Sequence, residues 1–314
     1  MLKILNTLDI SGIPEVHKIF NNHQLINVKA DRGLAIKEIV DADAYLASAA
    51  IQIDEGFLKQ ANKLKIIGSP STGTDHMDLN LIKKKGIICY DISKELDLIN
   101  SFTATSELAF TLLLSLVRKI IPASQDATNG IWAREKYSGT QLLNKTFGIV
   151  GLGRLGKISA KIANGFGMSV IAYDTNKKSV HGVKMVGLED LARESDFISI
   201  HVHLNTSTEN LINLNIFNKM KKSAIIINTS RGKIINEKDL IIALNANVIS
   251  GACLDVIDGE WLTKKELYNH PLVKYSRTHN NLLLSPHIGG ATQESIYGAR
   301  LFMAKKIASA LGIN

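Results

Sequence analysis

The chain has 314 residues, of which 45% are hydrophobic and 21% are charged. This composition matches soluble globular proteins, and the length favours two domains over one. No uninterrupted apolar segment approaches the ~20 residues that cross a bilayer, and the first residues lack the pattern of a secretory signal. We therefore expect no membrane partner and a cytoplasmic protein.

The net charge of +8 has two interpretations. Nucleic-acid binding proteins cluster their positive charge, whereas the lysines here are scattered in short groups. The sequence therefore favours an electrostatic bias toward anionic small molecules, with no nucleic-acid partner. Cys89 and Cys253 both lie in apolar runs. We interpret them as buried thiols, which fits a reducing compartment.

The first hundred residues alternate short apolar runs with helical patterns, which is typical of a parallel sheet covered on both faces. Strands are predicted at residues 3–5, 25–28, 44–47, 65–68 and 87–90. Helices are predicted at residues 14–20, 34–40 and 57–62. This segment predicts one complete small α/β unit.

A long helix is predicted next, from residue 103 to residue 121, as a buried connection between two domains. A second α/β series follows it. Its strands are predicted at residues 146–150, 169–173, 197–201, 224–228, 249–254 and 282–284. Its predicted helices include residues 157–166, and the chain closes on a helix over residues 292–311. No linker rich in proline or glycine separates the two series.

A glycine-rich turn follows the strand at residues 146–150 directly and opens a helix. Its residues are Gly151, Leu152, Gly153, Arg154, Leu155 and Gly156. In this context the first glycine permits the tight turn, the second lets a pyrophosphate approach the backbone, and the third lets helix pack on strand. The helix N-terminus offers N–H groups to the phosphates. The turn therefore predicts a dinucleotide site.

Asp174 ends the next strand, where an acidic residue accepts hydrogen bonds from the adenosine ribose hydroxyls. Its charge would repel a 2′-phosphate, so the sequence predicts NAD rather than NADP as the cofactor. The neighbouring Lys177 and Lys178 could contact a 2′-phosphate and leave the strictness of that preference open.

Charged side chains follow three later strands. Arg231 comes after the strand ending at Asn228, Asp255 and Glu260 after the strand ending at Leu254, and His287 after the strand ending at Leu284. Ligands bind outside the carboxyl ends of strands in open parallel sheets. These four side chains are therefore predicted to converge on the cofactor, and we predict no metal site.

With these motifs in order, the sequence resembles the D-isomer-specific 2-hydroxyacid dehydrogenases, a family that includes D-lactate, glycerate, glyoxylate and D-3-phosphoglycerate dehydrogenases. The matching segments are GLGRLG with Asp174, NTSRG around Arg231, GACLDV with Glu260, and SPHIGGAT around His287. The resemblance implies an α/β fold of two Rossmann-like doubly wound parallel-sheet domains. The cofactor domain, residues 103–284, would be inserted into a discontinuous flavodoxin-like substrate domain, residues 1–102 and 285–314.

The resemblance also implies roles for single residues. Arg231 would bind the substrate carboxylate and carbonyl oxygen, His287 would be the acid–base group, and Glu260 would pair with it. Asp255 would hold the nicotinamide carboxamide. The backbone at Thr72 and Gly73 would bind the other end of the substrate. Further NAD contacts are expected at Arg154, Leu155, Val202, Thr229 and Gly289.

Other implications concern the substrate and the assembly. Relatives that act on phosphorylated substrates often carry an arginine where this sequence has Ser48, which disfavours D-3-phosphoglycerate. His203 stands where the family commonly has proline. Formate dehydrogenases use glutamine in place of Glu260, which disfavours that activity. An NAD-sensing corepressor on the same scaffold remains the rival function. A homodimer formed through the region of residues 103–121 follows from the resemblance alone.

Overall fold

The computed structural model describes residues 1–176 and 179–313. Its residues group into two compact units by their contacts. The first unit comprises Met1–Phe102 with Thr292–Asn314, and the second comprises Thr103–Ala291. The second unit is thus inserted in the chain between the two parts of the first.

The first unit contains a parallel sheet of five strands. They are β1 (Lys3–Asn6), β2 (Gln24–Asn27), β3 (Ala44–Leu46), β4 (Ile66–Gly68) and β5 (Ile88–Tyr90). Their order in the sheet, β2-β1-β3-β4-β5, is the flavodoxin-like order. The helices of this unit are α1 (Pro14–Ile19), α2 (Arg32–Ile39), α3 (Glu55–Leu58), α4 (Leu79–Lys84), α5 (Leu96–Ile99) and the last helix, α14 (Gln293–Ala310).

Helix α14 belongs to the core of the first unit although it comes from the far end of the chain. Met303, Ala304 and Ile307 are fully buried in the cluster that also contains Ile4 and Ile66. Burying these apolar side chains against β1 and β4 removes them from water, which is the main stabilising term in folding. The first unit is therefore complete only once α14 is in place.

The second unit contains a parallel sheet of seven strands among the described residues. They are β6 (Thr146–Val150), β7 (Ser169–Tyr173), β8 (Val183–Met185), β9 (Phe197–Ile200), β10 (Ile225–Asn228), β11 (Gly251–Leu254) and β12 (Leu282–Leu284). Their order, β8-β7-β6-β9-β10-β11-β12, contains the Rossmann pattern with one strand added at the β11 edge.

Eight helices of the second unit are described: α6 (Ala104–Val117), α7 (Ile120–Thr128), α8 (Arg154–Gly165), α9 (Leu188–Glu194), α10 (Leu214–Phe217), α11 (Glu237–Asn245), α12 (Lys264–Asn269) and α13 (Pro271–Ser276). The prediction of an α/β fold with two doubly wound parallel-sheet domains is confirmed. Both faces of the larger sheet are covered by apolar clusters, which accounts for strands such as β10 being buried along their whole length.

The structure differs from the sequence prediction at the end of one helix, at one strand and at the end of the second unit. The helix predicted over residues 103–121 ends at Val117 and a new helix begins at Ile120, because Lys119 adopts a left-handed conformation with φ 53°. Strand β8 was not predicted. The second unit extends to Ala291 rather than to residue 284, because the backbone N–H groups of His287, Ile288 and Gly289 bond to Asp255.

Candidate functional site

The glycine turn lies between β6 and α8, and its geometry requires glycine at two positions. Gly151 has φ +97°, and a Cβ atom there would lie 2.6 Å from the carbonyl oxygen of His201. A Cβ atom at Gly156 would lie 2.1 Å from the carbonyl oxygen of Gly151. No described atom lies within 4 Å of a Cβ built at Gly153. The middle of the turn is therefore open to a group that approaches the backbone.

Helix α8 begins directly at this open position. Gly153 is its N-cap residue, and no side chain of the described residues caps it. The buried face of the helix is made of Gly156, Ser159, Ala160 and Ala163, whose small size lets the helix lie close to the sheet. The first N–H groups of a helix have no partner within the helix and carry partial positive charge. This end of α8 therefore fits the pyrophosphate of a dinucleotide.

Asp174 lies just beyond β7, next to the glycine turn. Its Oδ2 accepts a hydrogen bond from the backbone N–H of Leu152 at 2.7 Å, and its Oδ1 accepts one from Asn176 at 2.7 Å. The carboxylate is thus held against the turn while lone pairs remain for a ribose. The two lysines considered as contacts for a 2′-phosphate, Lys177 and Lys178, lie outside the described residues.

The His287 and Glu260 side chains form a hydrogen-bonded pair. His287 Nδ1 lies 2.7 Å from Glu260 Oε1, and the two side chains are 29% and 17% exposed. The His287 backbone is in the left-handed region, with φ 53°. Since the ring uses Nδ1 toward Glu260, Nε2 is the nitrogen left to act on a ligand. Such a carboxylate partner orients the ring.

Asp255 is almost completely buried, at 1% exposure, and organises the turn that carries His287. Its Oδ1 accepts hydrogen bonds from the Ser285 hydroxyl at 2.6 Å and from Ile288 N–H at 2.9 Å. Its Oδ2 accepts one from Gly289 N–H at 2.7 Å. Three of the roughly four acceptor positions of the carboxylate are therefore occupied within the protein. The predicted contact with the nicotinamide carboxamide would use the fourth.

Arg231 follows β10 and is partly buried. Its Nη1 donates to the Ser230 carbonyl at 2.8 Å, and its own carbonyl accepts from Asn228 Nδ2 at 2.9 Å. The Ser230 hydroxyl donates to the carbonyl of Ile200 at 2.8 Å. These bonds tie the loop to the ends of β9 and β10. The strands that precede Arg231, Glu260 and His287 are consecutive neighbours in one sheet, so all three side chains lie at its carboxyl edge.

The remaining predicted cofactor contacts lie at the same edge. Val202 follows β9 and lies beside Gly151, since its Cγ1 would be 2.7 Å from a Cβ atom built there. The Thr229 hydroxyl is buried, and no described group hydrogen-bonds to it. A buried polar atom without a partner is costly, so it indicates a place for a ligand group.

The predicted substrate loop belongs to the first unit and follows β4. Gly73 is buried, and its N–H donates to the Ser71 hydroxyl at 3.2 Å, whereas Thr72 is partly exposed. Ser69 and His76 are buried beneath this loop, with the Ser69 hydroxyl 3.2 Å from His76 Nε2. His76 is therefore a structural residue of the loop.

Two aromatic residues near the site had no assigned role from the sequence. The Trp261 ring lies 5.7 Å from the His287 ring at 33°, and Trp261 is 57% exposed. His201 is partly buried, with its Nε2 2.9 Å from the Ser199 hydroxyl. Burial lowers the pKa of His201 to about 4, so this histidine stays neutral. The only sequence signal for Trp261 is its position after Glu260.

Within residues 1–176 and 179–313, no group of three or more metal-ligating side chains is assembled. None of the helices over the same residues combines the length and apolar character that crossing a membrane requires.

Known proteins resemble this chain in sequence and structure. The NAD-binding domain model of the D-isomer specific 2-hydroxyacid dehydrogenases matches residues 110–289. A glyoxylate reductase of Thermococcus litoralis is 36% identical over 309 residues, with 95% of this chain and 89% of that protein covered. A D-3-phosphoglycerate dehydrogenase of Synechocystis sp. is 33% identical over 92% of this chain, but this chain spans only 51% of its length.

The solved structures agree. The D-lactate dehydrogenase of Aquifex aeolicus, complexed with NAD and lactic acid, matches with a TM-score of 0.87 at 26% identity, over 98% of this chain and 95% of that one. The family model covers more than half of the chain, and it includes the glycine turn and the residues at the carboxyl edge of the larger sheet. The chain therefore belongs to the D-isomer specific 2-hydroxyacid dehydrogenases, and its cofactor, as the glycine turn and Asp174 predicted, is NAD.

Proposed function

We propose that this enzyme interconverts a small, unphosphorylated D-2-hydroxy acid and its 2-oxo acid, with His287 as the acid–base group. The observation that carries the proposal is the 2.7 Å hydrogen bond between His287 Nδ1 and Glu260 Oε1 at the carboxyl edge of the sheet. A histidine held by a carboxylate is suited to proton transfer near neutral pH.

The proton and the hydride take separate routes. NADH, when bound at the carboxyl edge of the larger sheet, would supply the hydride for the carbonyl carbon of the 2-oxo acid. The protonated His287 donates the Nε2 proton to the carbonyl oxygen, which becomes the hydroxyl of the product. Glu260 accepts a hydrogen bond from the Nδ1 proton, so that Nε2 is the nitrogen that exchanges a proton with the substrate. In the oxidation direction the neutral ring accepts the hydroxyl proton at Nε2.

Arg231 is proposed to bind the carboxylate and the carbonyl oxygen of the 2-oxo acid. A guanidinium group is planar and presents several donors in a fixed fork, which matches a carboxylate. Its loop is tied to the ends of β9 and β10 by the hydrogen bonds of Asn228 and Ser230. The charge would also polarise the carbonyl that receives the hydride. On the first unit, the backbone at Thr72 and Gly73 is proposed to bind the other end of the substrate.

The cofactor is proposed to bind along the carboxyl edge of the larger sheet. The support is the open turn at Gly153, the uncapped start of α8 and the unsatisfied Thr229 hydroxyl. Asp174 would bind the adenosine ribose, and Asp255 would hold the carboxamide. The other contacts are proposed for Arg154, Leu155, Val202 and Gly289.

The substrate class follows from one position in the first unit. Ser48 lies just after β3 and carries no charge, where relatives that bind a phosphate often have arginine. A glyoxylate reductase is among the relatives at 36% identity. A small 2-oxo acid without a phosphate therefore suits this chain better than phosphohydroxypyruvate.

The test is the oxidation of NADH by the purified protein with a panel of 2-oxo acids. The panel contains glyoxylate, pyruvate, hydroxypyruvate, phosphohydroxypyruvate, and branched and aromatic oxo acids. We expect a higher kcat/KM for hydroxypyruvate than for phosphohydroxypyruvate, since the pair differs only in the phosphate. Preference for the phosphorylated acid would contradict the substrate class, and no turnover of any of these acids would favour an NAD-sensing protein.

We further propose that the enzyme is a homodimer. Helix α7 has no buried residue, and several large apolar side chains of this region are exposed. They are Ile120 at 52%, Ile121 at 45%, Ile131 at 49% and Trp132 at 88%. Exposed apolar side chains close together in the chain support an interaction site here. Light scattering should give twice the 34.3 kDa chain mass.

A cytoplasmic location is also proposed. Cys89 and Cys253 are both free thiols, and Cys253 is fully buried. Burial raises the pKa of both thiols, to about 11 for Cys89, which keeps them in the unreactive protonated form. Free thiols fit a reducing compartment. Fractionation of the source cells tests the location.

A further inference from the structure

The segment that carries Glu260 is held by its backbone, at Asp258. Glu237, the first residue of α11, accepts the Asp258 N–H through Oε1 at 2.7 Å. His270, between α12 and α13, places Nε2 3.0 Å from the Asp258 carbonyl oxygen. Both backbone polar groups of Asp258 are therefore bound, by side chains from two different segments of the chain. Asp258 lies two residues before Glu260.

Glu237 and His270 also contact each other. His270 Nε2 lies 3.3 Å from Glu237 Oε2, and the side chains are 9% and 17% exposed for the histidine and the glutamate. Because a carbonyl oxygen can only accept, Nε2 carries the proton and is shared between Asp258 and Glu237. Burial, followed by the charges of Asp258 and Glu260, raises the pKa of Glu237 to about 7. The Glu237 carboxyl is thus electrostatically coupled to Glu260.

A close backbone contact joins the same segment to the loop of Arg231. A Cβ atom at Gly232 would lie 2.2 Å from the carbonyl carbon of Ile257 and 2.3 Å from the nitrogen of Asp258. Only glycine fits there. The loop of Arg231 and the segment of Glu260 are therefore packed against each other next to the Glu237–His270 pair.

The Glu260 carboxylate has one hydrogen bond among the described residues, to His287. Oε1 is bonded to His287, while Oε2 is buried and no described group hydrogen-bonds to it. The residue between Asp258 and Glu260 is Gly259, which has φ +77° and the conformational freedom of glycine. The direction of the Glu260 carboxylate therefore depends on where the Asp258 backbone is fixed.

We propose that Glu237 and His270 are positioning residues. They bind the backbone N–H and carbonyl of Asp258 and so keep Glu260 within hydrogen-bonding distance of His287. The inference rests on the proposed function, because it assigns the pair an effect on proton transfer through Glu260. Neither residue is proposed to touch the substrate or NAD.

The experiment is a double-mutant cycle read in kcat and in the pH profile of kcat/KM for 2-oxo acid reduction. Glu237→Ala removes the acceptor of the Asp258 N–H. It should lower kcat by roughly 10- to 100-fold, leave the KM for NADH within about twofold, and move the alkaline limb to lower pH, the direction that we also expect for Glu260→Gln. In the double variant with Glu260→Gln, the Glu237→Ala change should lower kcat by less than about twofold beyond Glu260→Gln alone, because the effects of coupled residues are not additive.

Two further variants separate positioning from folding. Glu237→Gln keeps an acceptor oxygen and should restore kcat to within about threefold of the wild type. His270→Asn is too short to reach the Asp258 carbonyl and should reproduce the shifted profile of Glu237→Ala. The matched control is Lys238→Ala, an exposed neighbour on the same turn of α11, which should behave as the wild type.

The failures of the two proposals are distinguishable. Normal activity and an unchanged profile in both Glu260→Gln and His287→Gln would remove the proposed function. If those two variants behave as expected, the inference alone is overturned by Glu237→Ala losses that add in full to those of Glu260→Gln. It is equally overturned by an unshifted pH profile in Glu237→Ala and His270→Asn.

Discussion

At the scale of single residues, one carboxylate oxygen orients the His287 ring, while two further carboxylates fix the backbone of the His287 turn and of the glycine turn. Glu260 uses Oε1 on the His287 ring. Asp255 accepts three hydrogen bonds from the turn that carries His287, and Asp174 accepts one from the backbone of Leu152 in the glycine turn. The acidic residues near the site therefore stabilise loops as well as serving the proposed ligands.

Asp174 should control the choice between the two nicotinamide cofactors. Its charge next to the glycine turn would repel a 2′-phosphate. We expect the wild type to have a higher kcat/KM with NADH than with NADPH, and Asp174→Ala to reduce that ratio by about 10-fold or more, which corresponds to about 1.4 kcal/mol. Steady-state kinetics with both cofactors measure this ratio. A wild-type preference for NADPH would remove the assigned role of Asp174.

Arg231→Ala should lower kcat/KM for the 2-oxo acid by a factor on the order of 10² or more, as expected for a lost positioning group. Arg231→Lys should not restore it fully, because an ammonium group lacks the planar fork. The matched control is Arg193→Ala, an exposed arginine paired with Glu189 on α9. Activity near the wild-type level in Arg231→Ala would exclude this residue from substrate binding.

The sequence predicts site residues where a motif surrounds them, and it gives no signal for residues whose proposed role depends on distant packing. Arg231, Glu260 and His287 each stand in a segment that the family shares. The sequence assigns no role to His270 or Glu237. Their contact with Asp258 joins three separate segments, and no spacing or periodicity in the sequence specifies such a contact.

At the scale of elements, strands were easier to predict than helix ends. Buried strands appear in the sequence as apolar runs. The observed bounds of β6, β7 and β12 are the predicted ones. Strand β8 is three residues long with a lysine in its centre, so it lacks that signal. No glycine in the sequence indicates the break between α6 and α7 at Lys119. Pro122 lies in the first turn of α7, a position that proline favours.

The free energy of unfolding should depend on pH because of Glu237, the first residue of α11. The folded-state pKa is raised to about 7 from the ordinary 4.5, so between these values the folded protein holds a proton that the unfolded chain releases. Stability should therefore fall as pH rises from about 4.5 to 7 through this group. Glu237→Gln removes the ionisation, so its Tm relative to the wild type should be higher at pH 8 than at pH 5. An equal difference at both values would contradict the raised pKa.

At the scale of the whole molecule, the chain leaves the first unit after Phe102 and returns to it at Thr292. The sequence predicted this insertion from the resemblance, and the missing linker is consistent with it. What the sequence could not give is the extent of the second unit. The turn of His287 stays with β11 because the buried Asp255 binds it, and that attachment becomes visible only in the hydrogen bonds.

The central claim is that His287 transfers the proton while NADH reduces a 2-oxo acid, and its most direct test is His287→Gln in rapid mixing. The variant and the wild type are saturated with NADH and mixed with the best acid of the panel, and the loss of NADH absorbance is followed. His181→Gln, at an exposed histidine, is the control. We predict normal NADH binding by His287→Gln and oxidation slower by a factor on the order of 10² or more. Oxidation at the wild-type rate would contradict the account.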